Sequence, residues 1–136
     1  DGGQPTTTAQ AGATIQRDYF DPASGGRLDP AALRAGQLVG VRVSVIVVRP
    51  LGPADLHAPL PAGFALVSAT PQPPFGRARA GQEGLRFALG ALGEGIYTQE
   101  YLVRAALPGR FIAPAPQLAL ADGQTIVGRS EHAIVE

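Results

Sequence analysis

An all-β fold, an antiparallel β-sandwich of immunoglobulin-like architecture, is what this sequence predicts. Three observations carry that prediction. Leu38–Val48 (LVGVRVSVIVV) alternates, with Val39, Val41, Val43, Val45 and Val47 on one face and Gly40, Arg42, Ser44, Ile46 and Val48 on the other. A β-branched stripe of that period is suited to burial between two sheets. Gly95–Leu120 reads as one long strand, a Pro-Gly corner, a short strand and a proline-punctuated return. Finally, the 18 glycines and 13 prolines of the 136 residues fall between apolar runs, giving turn signals about every ten residues, the spacing of a sandwich.

The elements follow in order. Residues 1–12 are small, polar and aperiodic and predict a flexible N-terminal tail or linker, leaving 13–136 as a single sandwich domain. Ala13–Phe20 is the first strand, with Ile15, Arg17 and Tyr19 sharing a face; Asp21-Pro22 and Ser24-Gly25-Gly26 turn the chain. Leu28–Gln37 carries the one helical signal: Asp29 can cap, Pro30 fits the first helical position and Gly36 terminates. It allows at most one short helical turn near 30–35, and a tight connection is the expected outcome. Leu38–Val48 ends at Pro50–Pro53. Asp55–Ala58 and Phe64–Ala69 are short strands around LPAGF (Leu60–Phe64), and His57 is expected at a strand end, on the surface or an edge. Pro71–Gly81 reads as the largest irregular insertion, its three prolines and two glycines excluding a central strand there. Glu83–Leu89 points Leu85, Phe87 and Leu89 inward, and GALGEG (Gly90–Gly95) reads as a hairpin turn. In Gly95–Leu107 Tyr97, Gln99, Tyr101, Val103 and Ala105 point one way and Thr98, Glu100, Leu102, Arg104 and Ala106 the other. Pro108-Gly109 turns the chain. Arg110–Ala113, Gln117–Leu120, a turn at Asp122-Gly123, Ile126-Val127 and Glu131–Val135 complete roughly eight or nine short strands.

Composition excludes several function classes. Hydrophobic residues are 45% and charged residues 16%, a globular balance. Net charge is zero and no block of like charges exists, so nucleic acid or an anionic membrane has no electrostatic footprint. All eleven basic residues are arginine, which we read as the codon bias of a GC-rich genome. Without cysteine, the chain offers no thiol catalysis, thioester, disulfide or cysteine–metal site of its own. No apolar run approaches the ~18–20 residues of a spanning helix, and no signal-peptide pattern stands at the start. Asp1-Gly2-Gly3 lacks a methionine, so a mature product or an excised part of something longer is expected.

No catalytic constellation appears. The two histidines, His57 and His132, lie far apart and outside metal-ligand spacing. The serines lack a Gly-x-Ser-x-Gly context, and GALGEG joins two strands and so cannot offer a helix N-terminus to phosphate. No Asp/Asn cluster suggests calcium. Phe75, Arg77 and Arg79 form one basic-aromatic loop, read as solvated. No cofactor and no metal are expected.

An ordered set of short motifs nevertheless resembles one family. RDYF (Arg17–Phe20), LDPAALRAGQ (Leu28–Gln37), LPAGF (Leu60–Phe64), YTQEYLVRAALPGRF (Tyr97–Phe111) and GRS (Gly128–Ser130) follow in the order of the C-terminal macroglobulin-like domain of bacterial alpha-2-macroglobulins. The resemblance runs from about residue 13 to the end and implies a macroglobulin-like sandwich. It further implies a non-catalytic scaffold in a large periplasmic or lipid-anchored protease trap. In such traps a protease cuts a bait segment, the molecule rearranges, and a thioester in a separate domain couples the attacker. The implied partners are adjacent domains of a longer polypeptide, a thioester domain among them, and, through the parent, proteases. The residues it marks for interdomain contact are Tyr97, Tyr101, Arg104, Pro108, Gly109, Ala121 and Asp122.

Two departures stand out against the family pattern. Thioester-bearing members place a Met-Tyr pair between the proline-rich return and Gly-Arg-Ser, as a shield against water; an ungapped count back from Gly128 puts Ala121-Asp122 there. Either the chain comes from a branch without a thioester or the lock lies elsewhere. The usual Arg-Asp-Asp-Arg segment before the tyrosine strand is also missing; Glu83 and Arg86 of Gly81–Leu89 are the nearest polar pair. The alternative from a different class is a generic extracellular or periplasmic adhesion or interaction sandwich, which predicts tandem sandwich repeats or a surface anchor in the parent.

Overall fold

Residues 12–81 and 84–136 are described by the computed structural model of the chain. The expected tail, up to residue 11, and Gln82 and Glu83 lie outside the described residues. Among the described residues there are eleven strands and no helix, against the eight or nine strands expected. They are β1 (Ala13–Phe20), β2 (Leu38–Val47), β3 (Ala54–Pro59), β4 (Phe64–Ser68), β5 (Arg79–Gly81), β6 (Gly84–Leu89), β7 (Gly95–Ala105), β8 (Gly109–Ala113), β9 (Gln117–Leu120), β10 (Thr125–Val127) and β11 (Glu131–Val135).

Two antiparallel sheets form the sandwich, one in the order β1-β2-β7-β4 and one in the order β10-β9-β3-β6-β5; β8 and β11 pair as a separate ribbon. The longest pairing joins β2 to β7, from Leu38↔Arg104 to Val47↔Gly95. The valine stripe of β2 is buried throughout, no member being more than 3% exposed. Full burial of such a side chain contributes about 1.5–3 kcal/mol before entropy is charged against it. From the other sheet Leu56, Leu85, Phe87 and Leu118, all fully buried, close on the same core. Phe87 of β6 meets Tyr101 of β7 at 6.5 Å between ring centroids, linking the sheets.

Three expectations change, while Leu28–Gln37 forms the tight connection expected, its backbone groups used by the end of the chain: Leu33 N–H donates to Ile134 O, and Glu136 N–H donates to Leu33 O. Asp29 caps locally, accepting from Ala31 N–H at 2.9 Å. GALGEG is not a hairpin: β6 and β7 belong to different sheets, so these residues carry the chain across the sandwich. Reciprocal bonds between Leu51 and Leu92, at 2.8 and 2.9 Å, hold that crossover. His57 stands neither at a strand end nor on an edge but within central β3, opposite Arg86 on β6 and Gln117 on β9. Arg79–Gly81 forms a strand inside the stretch read as irregular; it lies on the sheet edge, where the prolines upstream do no harm.

Candidate functional site

The motif segments converge at one end of the sandwich. Gly36 N–H donates to Ala105 O, Ala105 N–H to Gln37 O, and both Ala106 and Leu107 N–H to Gly63 O. Arg104 Nη1 donates to Gly36 O at 2.8 Å. Gly63 has φ of +87°, and a Cβ there would lie 2.6 Å from the Phe111 ring, so glycine is required on both counts. Phe64 meets Phe111 edge to face at 6.2 Å. Arg104, Pro108 and Gly109, all exposed, therefore share one surface with the LPAGF turn.

The other marked residues do not join them. Tyr101 is buried in the core at 3% exposure. Tyr97, half-buried, donates to Gly93 O at 2.9 Å near the start of β7. Ala121 and Asp122 form the β9–β10 turn, where Asp122 accepts from Gln124 N–H and Ala121 N–H donates to Pro53 O. That turn lies beside Arg49–Gly52, at the end where β2 leaves and β7 begins. Small side chains on an exposed turn give no aromatic cover.

A buried ionic cluster is the feature the sequence reading missed. Glu131 Oε1 accepts from Arg17 Nε at 2.7 Å and from the Tyr19 hydroxyl at 2.6 Å. The Arg17 side chain is 2% exposed and that of Glu131 26%. Arg17 Nη2 also donates to Ala113 O at 3.1 Å and Arg129 O at 3.4 Å. Burial pushes the Tyr19 and Tyr101 hydroxyls above the ordinary tyrosine range, against the opposing pull of the Arg17 charge. Both phenols are therefore neutral near pH 7. The signal was present: an arginine between Ile15 and Tyr19 on an inward face demands a buried carboxylate. Glu131 shares its face with Ala133 and Val135 and meets the demand. The cleft beside the cluster, of about 560 Å³, is rimmed by Asp18, Arg27 and Asp29, and Arg27 pairs with Asp18 at 3.6 Å.

Gln99, fully buried, is a second polar anchor. Its Oε1 accepts from Gln72 N–H at 2.9 Å, and its Nε2 donates to Thr70 O and Glu100 O, both at 2.8 Å. Gln72 returns the bond by accepting from Glu100 N–H. The pair ties the residues after β4 onto β7. Among the described residues, no group of His, Cys, Asp or Glu side chains is placed to hold a metal ion, and no helix is long and apolar enough to cross a membrane.

The model of the bacterial alpha-2-macroglobulin MG10 domain matches residues 12–121, most of the chain and all of the convergent motifs. This chain belongs to that family. No curated protein matches it. Among solved structures, the MG10-family chain is similar to Salmonella alpha-2-macroglobulin reacted with methylamine (25% identity, TM-score 0.78, covering 98% of this chain and 10% of that one). It shares its fold with trypsin-activated alpha-2-macroglobulin from Escherichia coli (22% identity, TM-score 0.77, 92% and 10%). A native Escherichia coli fragment from domain MG7 to the C-terminus gives 21% identity and a TM-score of 0.78 over 92% of this chain and 23% of that one. The chain thus spans about a tenth of the length of the two larger chains.

Proposed function

We propose that this MG10-family chain is a non-catalytic scaffold domain of a bacterial alpha-2-macroglobulin-type protease trap. Its place would be the periplasm or cell envelope, as part of a much longer polypeptide. The observation that carries the proposal is the family match over residues 12–121, the stretch in which the motifs converge structurally. The domain's work in that setting is mechanical. The Arg17–Glu131 pair straps the first strand to the last, so rearrangement of the parent is transmitted through a body that does not itself unravel. The surface carrying Arg104, Pro108 and Gly109 is the contact to a neighbouring domain, and Tyr97 and Tyr101 support β7 from beneath. Ala121 and Asp122 seal no thioester, since neither side chain can cover an acyl carbon. The test is entrapment by the full-length parent. Trypsin captured by it should stay active on a small amide substrate yet become shielded from a protein-sized inhibitor. Cross-links placed near Arg104 and Gly109 should reach another domain. Trypsin that stays open to the large inhibitor refutes the trap, and cross-links confined to this domain refute the contact face.

A further inference from the structure

We propose that Arg77–Ala80 is a cleavage site for arginine-directed endoproteases, and that the chain cut there remains one folded body. The inference rests on exposure and anchoring in this chain and is independent of the trapping proposal. Arg77, Arg79, Ala80 and Gly81 are exposed and Ala78 is half-buried. Their neighbours are small, as at preferred nicking sites. β5 is already extended, the form in which a protease binds its substrate, and sits on the outer edge of its sheet. Its three residues pair with β6 through Arg79↔Arg86, Ala80↔Leu85 and Gly81↔Gly84. Releasing three edge pairs is a small local opening. It would stop at Phe75, which is 3% exposed and packs edge to face on Phe87, and at Gly76, whose N–H donates to Ala88 O.

The other arginines are placed less favourably: Arg17 is buried, Arg110 lies in β8 and pairs with Ile134 of β11, and the Arg129 carbonyl accepts from Arg17 Nη2. Arg27 has an 84% exposed side chain, but its turn is pinned: Gly25 N–H donates to Asp21 O, Asp21 N–H to Gly26 O and Leu28 N–H to Tyr19 O. Arg42, Arg86 and Arg104 lie on strands paired on both sides. The residues flanking Arg34, Leu33 and Ala35, are bonded to the β11 end. Arg49 precedes Pro50, whose missing N–H and fixed φ disfavour the bond for such enzymes.

Cleavage after Arg79 adds one water across the peptide bond, leaving a carboxylate on Arg79 and an ammonium on Ala80. β1–β4 then lie on one fragment and β6–β11 on the other. The pairings β2–β7, β4–β7, β3–β6 and β3–β9 all cross the cut, as does the Arg17–Glu131 pair, so the two fragments share one core. The experiment is brief digestion of the 136-residue chain with trypsin, with intact-mass analysis and gel filtration without denaturant. The expected first products end at Arg77 or Arg79 and elute together at the position of the uncut chain. In Arg77→Gln/Arg79→Gln, a change at two exposed positions, that early fragment pair should disappear while the circular dichroism is unchanged. A first cut at any other arginine, fragments that separate without denaturant, or an equally early cut elsewhere in the double variant overturns the proposal.

Discussion

Removing the Glu131 carboxylate tests the strap between the two ends of the chain. In Glu131→Ala the Arg17 guanidinium, 2% exposed, loses its carboxylate and keeps the carbonyls of Ala113 and Arg129 as acceptors. The buried Tyr19 hydroxyl loses its 2.6 Å acceptor. Stranding one member of a buried pair costs about 3–5 kcal/mol. Glu131 itself is 26% exposed, and two carbonyls remain, so the lower end of that range, about 3 kcal/mol, is expected. Against a total stability of about 5–15 kcal/mol this is a large fraction. Urea unfolding measures it, provided the slope with denaturant is unchanged. A second variant separates the charge from the packing: Arg17→Met/Glu131→Leu should recover part of the loss, because no buried charge is stranded. A loss below about 1 kcal/mol in Glu131→Ala, the range of exposed pairs, would refute the reasoning.

Three further outcomes are expected. Gln99→Leu strands Thr70 O, Glu100 O and Gln72 N–H; at about 1–3 kcal/mol for each unsatisfied buried group that water fails to reach, the loss should exceed 2 kcal/mol, with faster amide exchange at Gln72 and Glu100. Gly40→Ala and Gly84→Ala should differ in size. The added Cβ of the first meets the end of the Phe20 ring at 2.3 Å, which can swing away for about 1–3 kcal/mol. That of the second meets the backbone of Ala58 at 2.5 Å at φ +126°, where nothing can yield; equal losses in urea unfolding would contradict this. The third concerns alkaline pH. Burial raises the folded-state pKa of Tyr19 and Tyr101, so the unfolded chain releases these protons first, near pH 10. Their contribution to stability is complete below that pH and declines above it, by up to about 2.7 kcal/mol per pH unit for two protons; Tyr19→Phe/Tyr101→Phe should flatten that decline.

What was legible in the sequence was local. Alternation assigned the faces of β1, β2, β6 and β7 correctly, because one side of each strand is buried and the period of two leaves no other register. It also placed Arg17 on the face of Ile15 and Tyr19, and Gln99 on that of Tyr101 and Val103, the faces that the structure buries. What the alternation could not supply was pairing across long separations. GALGEG looks like a hairpin turn because its glycines are compatible with one; the chain crosses instead, since β7 finds its partners in β2 and β4. His57 looked marginal because its neighbours in sequence are prolines and short strands. β9, contributed some sixty residues later, covers β3 on the side away from β6 and makes it central.

The same distinction explains the candidate site. Each motif on its own resembles ordinary turn punctuation, and its meaning lies in what it touches. Gly36, Gly63, Arg104 and Phe111 are scattered along the sequence yet bonded or packed into one surface. Glycine at 63 serves the Phe111 ring, and the Gly36 carbonyl serves Arg104. An isolated sandwich could have used many other turns at these places. The motif-bearing end is therefore constrained by mutual contact, whereas the β9–β10 turn at Ala121-Asp122 makes its own hairpin bonds and the bond to Pro53 at the opposite end of β7. That turn is also where the family match ends, at residue 121.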